Sequence, residues 1–157
     1  MQGHAEVEFS MGFKLPSLPN TRMHHMARAR MMKSQREAVG LFLCAKARAF
    51  RSAWERDSQD KTLRLVAALT RAGPKRLDDD NVVGAFKAMR DEIAHFMREP
   101  DGSSRWRWCV RQAEGLYAVR VHLFIVRPPS TGDDFKVWLD EWQERGLESI
   151  GWEAARW

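Results

Sequence analysis

The sequence predicts an α+β domain with a mixed sheet, its elements in the order β-α-β-α-β-β. Three observations lead there. Four short stretches alternate apolar and polar residues, and two longer stretches repeat apolar residues every three or four positions. Segments rich in Pro, Gly, Ser or Asn separate several of these stretches, as expected for turns. At 157 residues the chain is long enough for one domain with a real core.

Ala5 to Phe13 alternates imperfectly and predicts a first strand. Pro16, Pro19 and Asn20 mark a loop. A long helical stretch starts between Arg22 and Ala29 and runs to about Trp54, with Val39, Leu43, Ala47 and Phe50 at helical spacing. Thr62 to Arg71 reads as a strand with Leu63, Leu65, Ala67 and Leu69 on one face, and Gly73-Pro74 breaks it. The next helix, about Asp80 to Met97, carries Val82, Phe86, Met89, Ile93 and Phe96 as its apolar stripe. Aspartates at its start suit both the cap and the helix dipole. Pro100, Gly102 and two serines form a loop. Ser104 to Arg111 and Leu116 to Val126 alternate again, and Ala113-Glu114-Gly115 reads as a hairpin turn between them. Pro128 to Gly132 reads as a linker, and Phe135, Trp138, Leu139 and Trp142 fit a short amphipathic helix. The chain divides into a domain, 1–127, and a linker with an acidic, Trp-rich tail, 128–157.

Composition narrows the function classes. The longest apolar run, near Val121 to Val126, is far too short for a membrane span, and no signal-peptide pattern opens the chain. Cys44 and Cys109 make no zinc pattern and read as reduced thiols of a cytoplasmic protein. Net charge is +5 and unevenly spread. From Asp133 onward seven acids face three bases, a net −4, so residues 1–132 carry +9. A basic body points to nucleic acid. The acidic tail would either face a protein partner or fold back on the basic surface.

The run Lys75-Arg76-Leu77-Asp78-Asp79-Asp80-Asn81 concentrates the chemistry. Clustered carboxylates repel one another unless a cation or water solvates them, and a divalent metal is the usual functional reason to group them. A metal site inside a positive field implies attack on phosphates, as in a metal-dependent nuclease. The alternative is a capped helix with a solvated charged face. Three adjacent aspartates exceed what one cap needs, and Lys87 preceding Asp91 is the less favourable order for an ion pair four residues apart.

The order Leu77-Asp-Asp-Asp-Asn-Val-Val-Gly-Ala-Phe-Lys-Ala-Met-Arg-Asp91 resembles the signature of RusA-type Holliday-junction resolvases, in particular their phage-encoded branch. Pro16-Ser-Leu-Pro-Asn20, Arg22-Met-His24, Ala27-Arg-Ala-Arg30 and Lys33-Ser-Gln-Arg36 are similar to that branch's N-terminal region. The resemblance covers about residues 15–126. It implies a RusA-like fold and a homodimeric, magnesium-dependent endodeoxyribonuclease, with Mn²⁺ as an alternative ion, that nicks four-way DNA junctions or related branched DNA in pairs. It implies a phage or prophage origin. Asp78 and Asp80 fall on the family's metal-binding Asp-x-Asp-Asn. Lys87 stands for the catalytic lysine, one turn later than in the founding branch, where this chain has Gly84, and Asp91 follows at the spacing of the phage branch. The later acidic element is degenerate, Arg98-Glu99-Pro100-Asp101-Gly102, leaving Asp101 as third ligand ahead of Glu99. Two other readings remain: a catalytically degenerate DNA-binding relative, and a protein-interaction module acting through the tail.

Between Thr21 and Arg56 nine Lys/Arg residues face two acids. The excess favours phosphate contacts over a merely solvated helix. Arg22, His24, Arg28, Arg30, Lys33, Arg36, Lys75 and Arg76 are the candidate DNA-binding residues, with Arg105, Arg107, Arg111 and Arg120 extending the field. His24 and His25 also suit a capping or surface role. Trp106 and Trp108 are expected on a core or dimer face. Replacing Arg28, Arg30 and Lys33 with alanine is expected to weaken DNA binding and to flatten the slope of log K against log salt, by roughly one unit for each phosphate that is no longer neutralised. Binding titrations over a salt series measure that slope, and an unchanged slope would place the DNA surface elsewhere.

Overall fold

The computed structural model describes residues 3–16 and 22–127, with backbone alone for the first two of these. Pro19, Asn20, the 128–132 linker and the tail residues Phe135, Trp138, Leu139 and Trp142 lie outside the described residues. The elements are β1 (Gly3–Met11), α1 (His25–Lys46), α2 (Arg48–Asp57), β2 (Arg64–Gly73), α3 (Asp79–Ala85), α4 (Lys87–Met97), β3 (Trp106–Glu114) and β4 (Ala118–Val126). They form an α+β fold with a mixed four-stranded sheet in the order β1-β4-β2-β3.

β2 is central because its sequence leaves no face for water. Leu65, Ala67 and Leu69 point to one side and Val66 and Ala68 to the other, and all five are buried. A strand buried on both faces reads as a continuous apolar run, which Leu65-Val66-Ala67-Ala68-Leu69 is. β3 pairs parallel to β2, with Leu65 opposite Trp106 and Gly73 opposite Glu114. β4 pairs antiparallel on the other side, with Leu65 opposite Ile125 and Ala72 opposite Ala118.

That arrangement corrects the expected hairpin. β3 and β4 are consecutive and closely linked, yet β2 lies between them. The connection through Gly115, Leu116 and Tyr117 straddles the end of β2, and the Gly115 N–H donates to the Gly73 carbonyl at 3.0 Å. Two strand spacings are about 9.6 Å, and the four steps from Glu114 to Ala118 reach about 13 Å. Gly115 has φ of 153°, a conformation that favours glycine. The local signal reports a turn between two strands, whereas the demand of β2 for two neighbours decides the pairing.

Both expected long helices are divided. The buried series Val39, Leu43, Ala47, Phe50 and Trp54 runs unbroken across α1 and α2, so periodicity carries no trace of the division at Ala47. Hydrogen bonds from Ala47 N–H to Leu43 and from Arg51 N–H to Ala47 continue through it, making it a kink rather than a stop. Phe86 separates α3 from α4. Its N–H bonds to the Val83 carbonyl, a tighter three-residue turn, just after Gly84, a weak helix former. The expected apolar stripe still reaches the core, with Val82, Phe86, Met89, Ile93 and Phe96 all buried. Arg98, at φ 55°, ends α4 in the left-handed conformation, and the Glu99 N–H closes back on the Ala94 carbonyl.

Trp106 and Trp108 stack on each other with ring centroids 4.4 Å apart, on the helix-covered face. Trp106 is buried, and the two indoles donate to the Glu99 and Asp101 carbonyls. Core packing thus accounts for both. Arg105 also departs from expectation. Its guanidinium donates to the Ser58 and Asp60 carbonyls and lies over the Trp54 ring, so it ties β3 to the end of α2 instead of extending a basic surface. Cys44 is an exposed free thiol and Cys109 a buried one. No helix among the described residues is long and apolar enough to cross a membrane.

Leu69, fully buried on β2, is expected to cost about 2–5 kcal/mol when replaced by alanine, through reduced burial and the cavity left behind. Leu41, 73% exposed on α1, is expected to change stability by no more than about 0.5 kcal/mol on the same substitution. Urea unfolding of the two variants checks the contrast.

Candidate active site

The acidic turn sits just beyond the C-terminal end of β2, held from beneath by two buried polar side chains. Arg71 and Gln112 are cross-strand partners on β2 and β3 and are 4% and 5% exposed. Arg71 Nε donates to the Leu15 carbonyl at 2.9 Å and Nη1 to the Lys75 carbonyl at 3.0 Å. Gln112 Nε2 donates to the Leu77 carbonyl at 2.7 Å, while its Oε1 accepts from the Leu77 N–H at 2.8 Å. Both main-chain groups of the residue before Asp78 are therefore fixed. Gly73 leaves room for the guanidinium: a Cβ there would stand 3.1 Å from Arg71 Nη2. Burial lowers the Arg71 pKa, with partial compensation from Tyr117, but a guanidinium starts so high that it stays charged.

Neither residue was singled out from sequence, although a signal was there. Arg71 follows Leu69, and Gln112 follows Val110, at the core-facing parity of their strands. A polar residue at a core position needs partners, and here the partners are the backbone of the turn that carries the aspartates.

Asp78 occupies the N-cap position of α3, and its carbonyl accepts from Asn81 and Val82, at 2.9 and 3.0 Å. Its side chain makes no capping hydrogen bond. Asp79 and Asp80 lie in the first helical turn, and all three aspartates are exposed. The capped-helix reading thus leaves the Asp78 carboxylate uncommitted. Lys75 and Arg76 flank the turn and are also exposed.

Asp91 sits one step deeper. Arg36 of α1 donates to its Oδ2 at 2.9 Å, and Lys87 Nζ lies 3.9 Å from its Oδ1. The trio joins α1 to α4. A groove of about 800 Å³ between α1, α2, α4 and the following loop contains Asp91, Glu99 and Asp101 in its lining, while Asp78 and Asp80 lie outside it. Asp101 is anchored by Trp108, and Leu77 by Gln112, four residues farther along β3. That spacing is about 13 Å along the strand. Among the described residues no group of three or more His, Cys, Asp and Glu side chains is placed to hold a metal ion. The pair Asp78 and Asp80 offers the hard oxygen donors that Mg²⁺ prefers, and Mg²⁺ commonly takes one or two carboxylates, with waters and substrate phosphates completing its shell.

The basic residues of α1 lie on its exposed early turns. α1 and α4 run in the same direction: Arg36 pairs with Asp91, Gly40 lies against Glu92, and Cys44 shares the groove with His95. Backtracking along α1 from Arg36 therefore leads past the start of α4. Arg28 is eight residues before Arg36, about 12 Å along the axis. The first buried residue of α1 is Gln35, so its early turns project from the core with Arg28, Arg30 and Lys33 exposed. Lys33 lies 3.8 Å from Glu37, a highly exposed pair. Arg22 precedes the helix and is exposed. His24 Nδ1 accepts from the Met26 N–H at 3.3 Å and caps the helix, while its ring packs on His25.

No family model and no curated protein matches the chain.

Replacing Gln112 with alanine strands the partly buried N–H and carbonyl of Leu77, which is expected to destabilise the fold by about 1–3 kcal/mol. Gln59→Ala, at an exposed position, is the matched control, expected within about 0.5 kcal/mol of the parent. Denaturant midpoints of the two variants decide whether the clamp has this weight.

Proposed function

We propose that the chain is a Mg²⁺-dependent, structure-selective endodeoxyribonuclease that nicks four-way junctions or related branched DNA, as its resemblance to RusA-type resolvases implies. One observation carries the reading. The Asp78 carboxylate, free of a capping role, precedes exposed Asp80 by two residues on a turn whose backbone is clamped by Arg71 and Gln112, in a chain whose α1 carries exposed arginines and lysine on its early turns.

Each group has a distinct role in this reading. Arg22, Arg28, Arg30 and Lys33 contact phosphates and supply affinity without base readout. Asp78 and Asp80 hold the ion, which when bound orients a water and offsets charge on the scissile phosphate. Lys87, two-thirds exposed, swings toward the phosphate and stabilises the developing charge, and Asp91 orients it in the resting state. Arg71 and Gln112 are positioning residues. Paired nicking of a four-way junction calls for two active sites, which a twofold dimer supplies with one kind of interface.

A second reading has its own support. Asp101 lines the groove beside α4, and Asp78 and Asp80 lie outside that groove, as a DNA-binding relative with a decayed metal site would have it. The two readings part on one experiment. Asp78→Asn and Asp80→Asn are each expected to reduce Mg²⁺-dependent nicking of a synthetic four-way junction by on the order of 10²-fold or more, the loss of several kcal/mol of charge stabilisation. Junction binding in gel shifts should persist or tighten, since each change removes negative charge near phosphates. Cleavage by the Asp80→Asn protein at the parental rate removes Asp80 from the site. A parent protein that binds junctions but does not nick them with Mg²⁺ or Mn²⁺ establishes the second reading.

A further inference from the structure

The sheet has two faces, and the described helices pack on one. Leu65, Ala67 and Leu69 of β2 share a core cluster with residues of all four helices. The other face has a cluster of its own, Val66, Ala68, Cys109, Phe124 and Val126, each no more than 7% exposed. No residue of a described helix belongs to it. Ala68 lies between Cys109 and His122 in register, and Val66, Phe124 and Val126, at 0%, 7% and 1% exposure, are buried as apolar side chains on a covered sheet face are. Around the cluster stand Arg64, Arg107, Arg111 and Arg120 against Glu6 and Glu8, an excess of positive charge. Glu8 pairs with Arg120 at 3.0 Å and Glu6 lies 3.4 Å from His122, so the excess falls on the β2–β3 side. Arg107 donates to the Ser104 and Trp106 carbonyls, and the Phe124 ring packs on His122. Arg111 Nη2 is shielded from water, and that burial lowers the pKa of its guanidinium.

We propose that residues 133–157 lie across this face as its intramolecular cover. The chain leaves the sheet at Val126, itself a member of the cluster, so the segment emerges at the border of the face it would cover. Pro128 to Gly132 is a five-residue spacer suited to a change of direction. The segment carries a net −4, complementary to the arginine excess. Phe135, Trp138, Leu139 and Trp142 recur at spacings of three, one and three residues, which gathers them into one helical stripe able to meet the apolar cluster, and indoles also accept arginine over their faces. This assignment stands independently of the nuclease reading.

Cys109 makes the cover measurable. The chain has two cysteines, so in a full-length Cys44→Ser protein Cys109 is the remaining thiol. Its native-state alkylation by a maleimide is expected to be slow. Trp138→Ser with Trp142→Ser is expected to speed it by about tenfold or more, as when local opening no longer limits access, with cooperative thermal unfolding retained. Asp140→Lys, Glu141→Lys and Glu144→Lys together, a change of surface charge that keeps the aromatic residues, are expected to speed it too. Unchanged alkylation in the charge variant and the tryptophan variant overturns the proposal. So does protection of Cys109 that strengthens with protein concentration, which assigns the face to a second copy of the chain.

Discussion

The burial of β2 on both faces is the constraint from which the rest of the structure follows. Its apolar run cannot occupy an edge without leaving one row of backbone groups and parts of two apolar faces in water. β3 and β4 are therefore drawn to opposite sides of it, and their short connection is forced over its end. The same placement brings the end of β2 beneath the loop that carries the acidic residues. The site is thus positioned by the most buried strand of the fold, although its carboxylates are exposed.

Where β2 ends, apolar packing gives way to a polar layer. A buried guanidinium without partners would be strongly destabilising. Arg71 meets two carbonyl oxygens, one after β1 and one after β2, and joins two loops that are distant in sequence. Gln112 satisfies both backbone groups of Leu77. The consequence is a division of labour. Hydrogen bonds from two buried side chains fix the turn's path, and the carboxylate of Asp78 is left out of the cap. A turn held by its own aspartate caps would have committed those groups to the fold.

The helices show the opposite arrangement. α1 is longer than the core it covers, and its buried positions begin only at Gln35. The turns before that contribute little apolar burial and carry arginine and lysine instead. Arg36, Lys87 and Asp91 then join α1 to α4 at the border between the projecting and packed parts. Such partly exposed pairs contribute only about 0.2–1 kcal/mol each. The buried Val39 and Leu43 seat the helix, and the pairs mark where its packed part begins.

Local physics explains what could be read in the sequence. Alternation placed all four strands within a few residues, and the stripe from Val82 to Phe96 identified the buried face of α3 and α4 even though Phe86 divides them. The acidic turn, its place between a strand and a helix, and the basic character of α1 were equally legible, because they depend on neighbours in the chain. Strand pairing was not. The residues around Gly115 encode a reversal of direction, but only competition for the flanks of β2 decides that the strands on either side of it never meet. The kink at Ala47 was hidden because the apolar period passes through it unchanged. Arg71 and Gln112 stood out only as polar residues at core-facing positions, and their partners, Leu15, Lys75 and Leu77, became neighbours through the sheet. Asp101 differs again. Its nearness in sequence to the end of α4 said nothing about Asp78, because the length of α4 carries the chain back along the sheet before β3 begins. Residue types and their periods determined the elements and the chemistry on offer; which groups meet was decided by how one strand buries both of its faces.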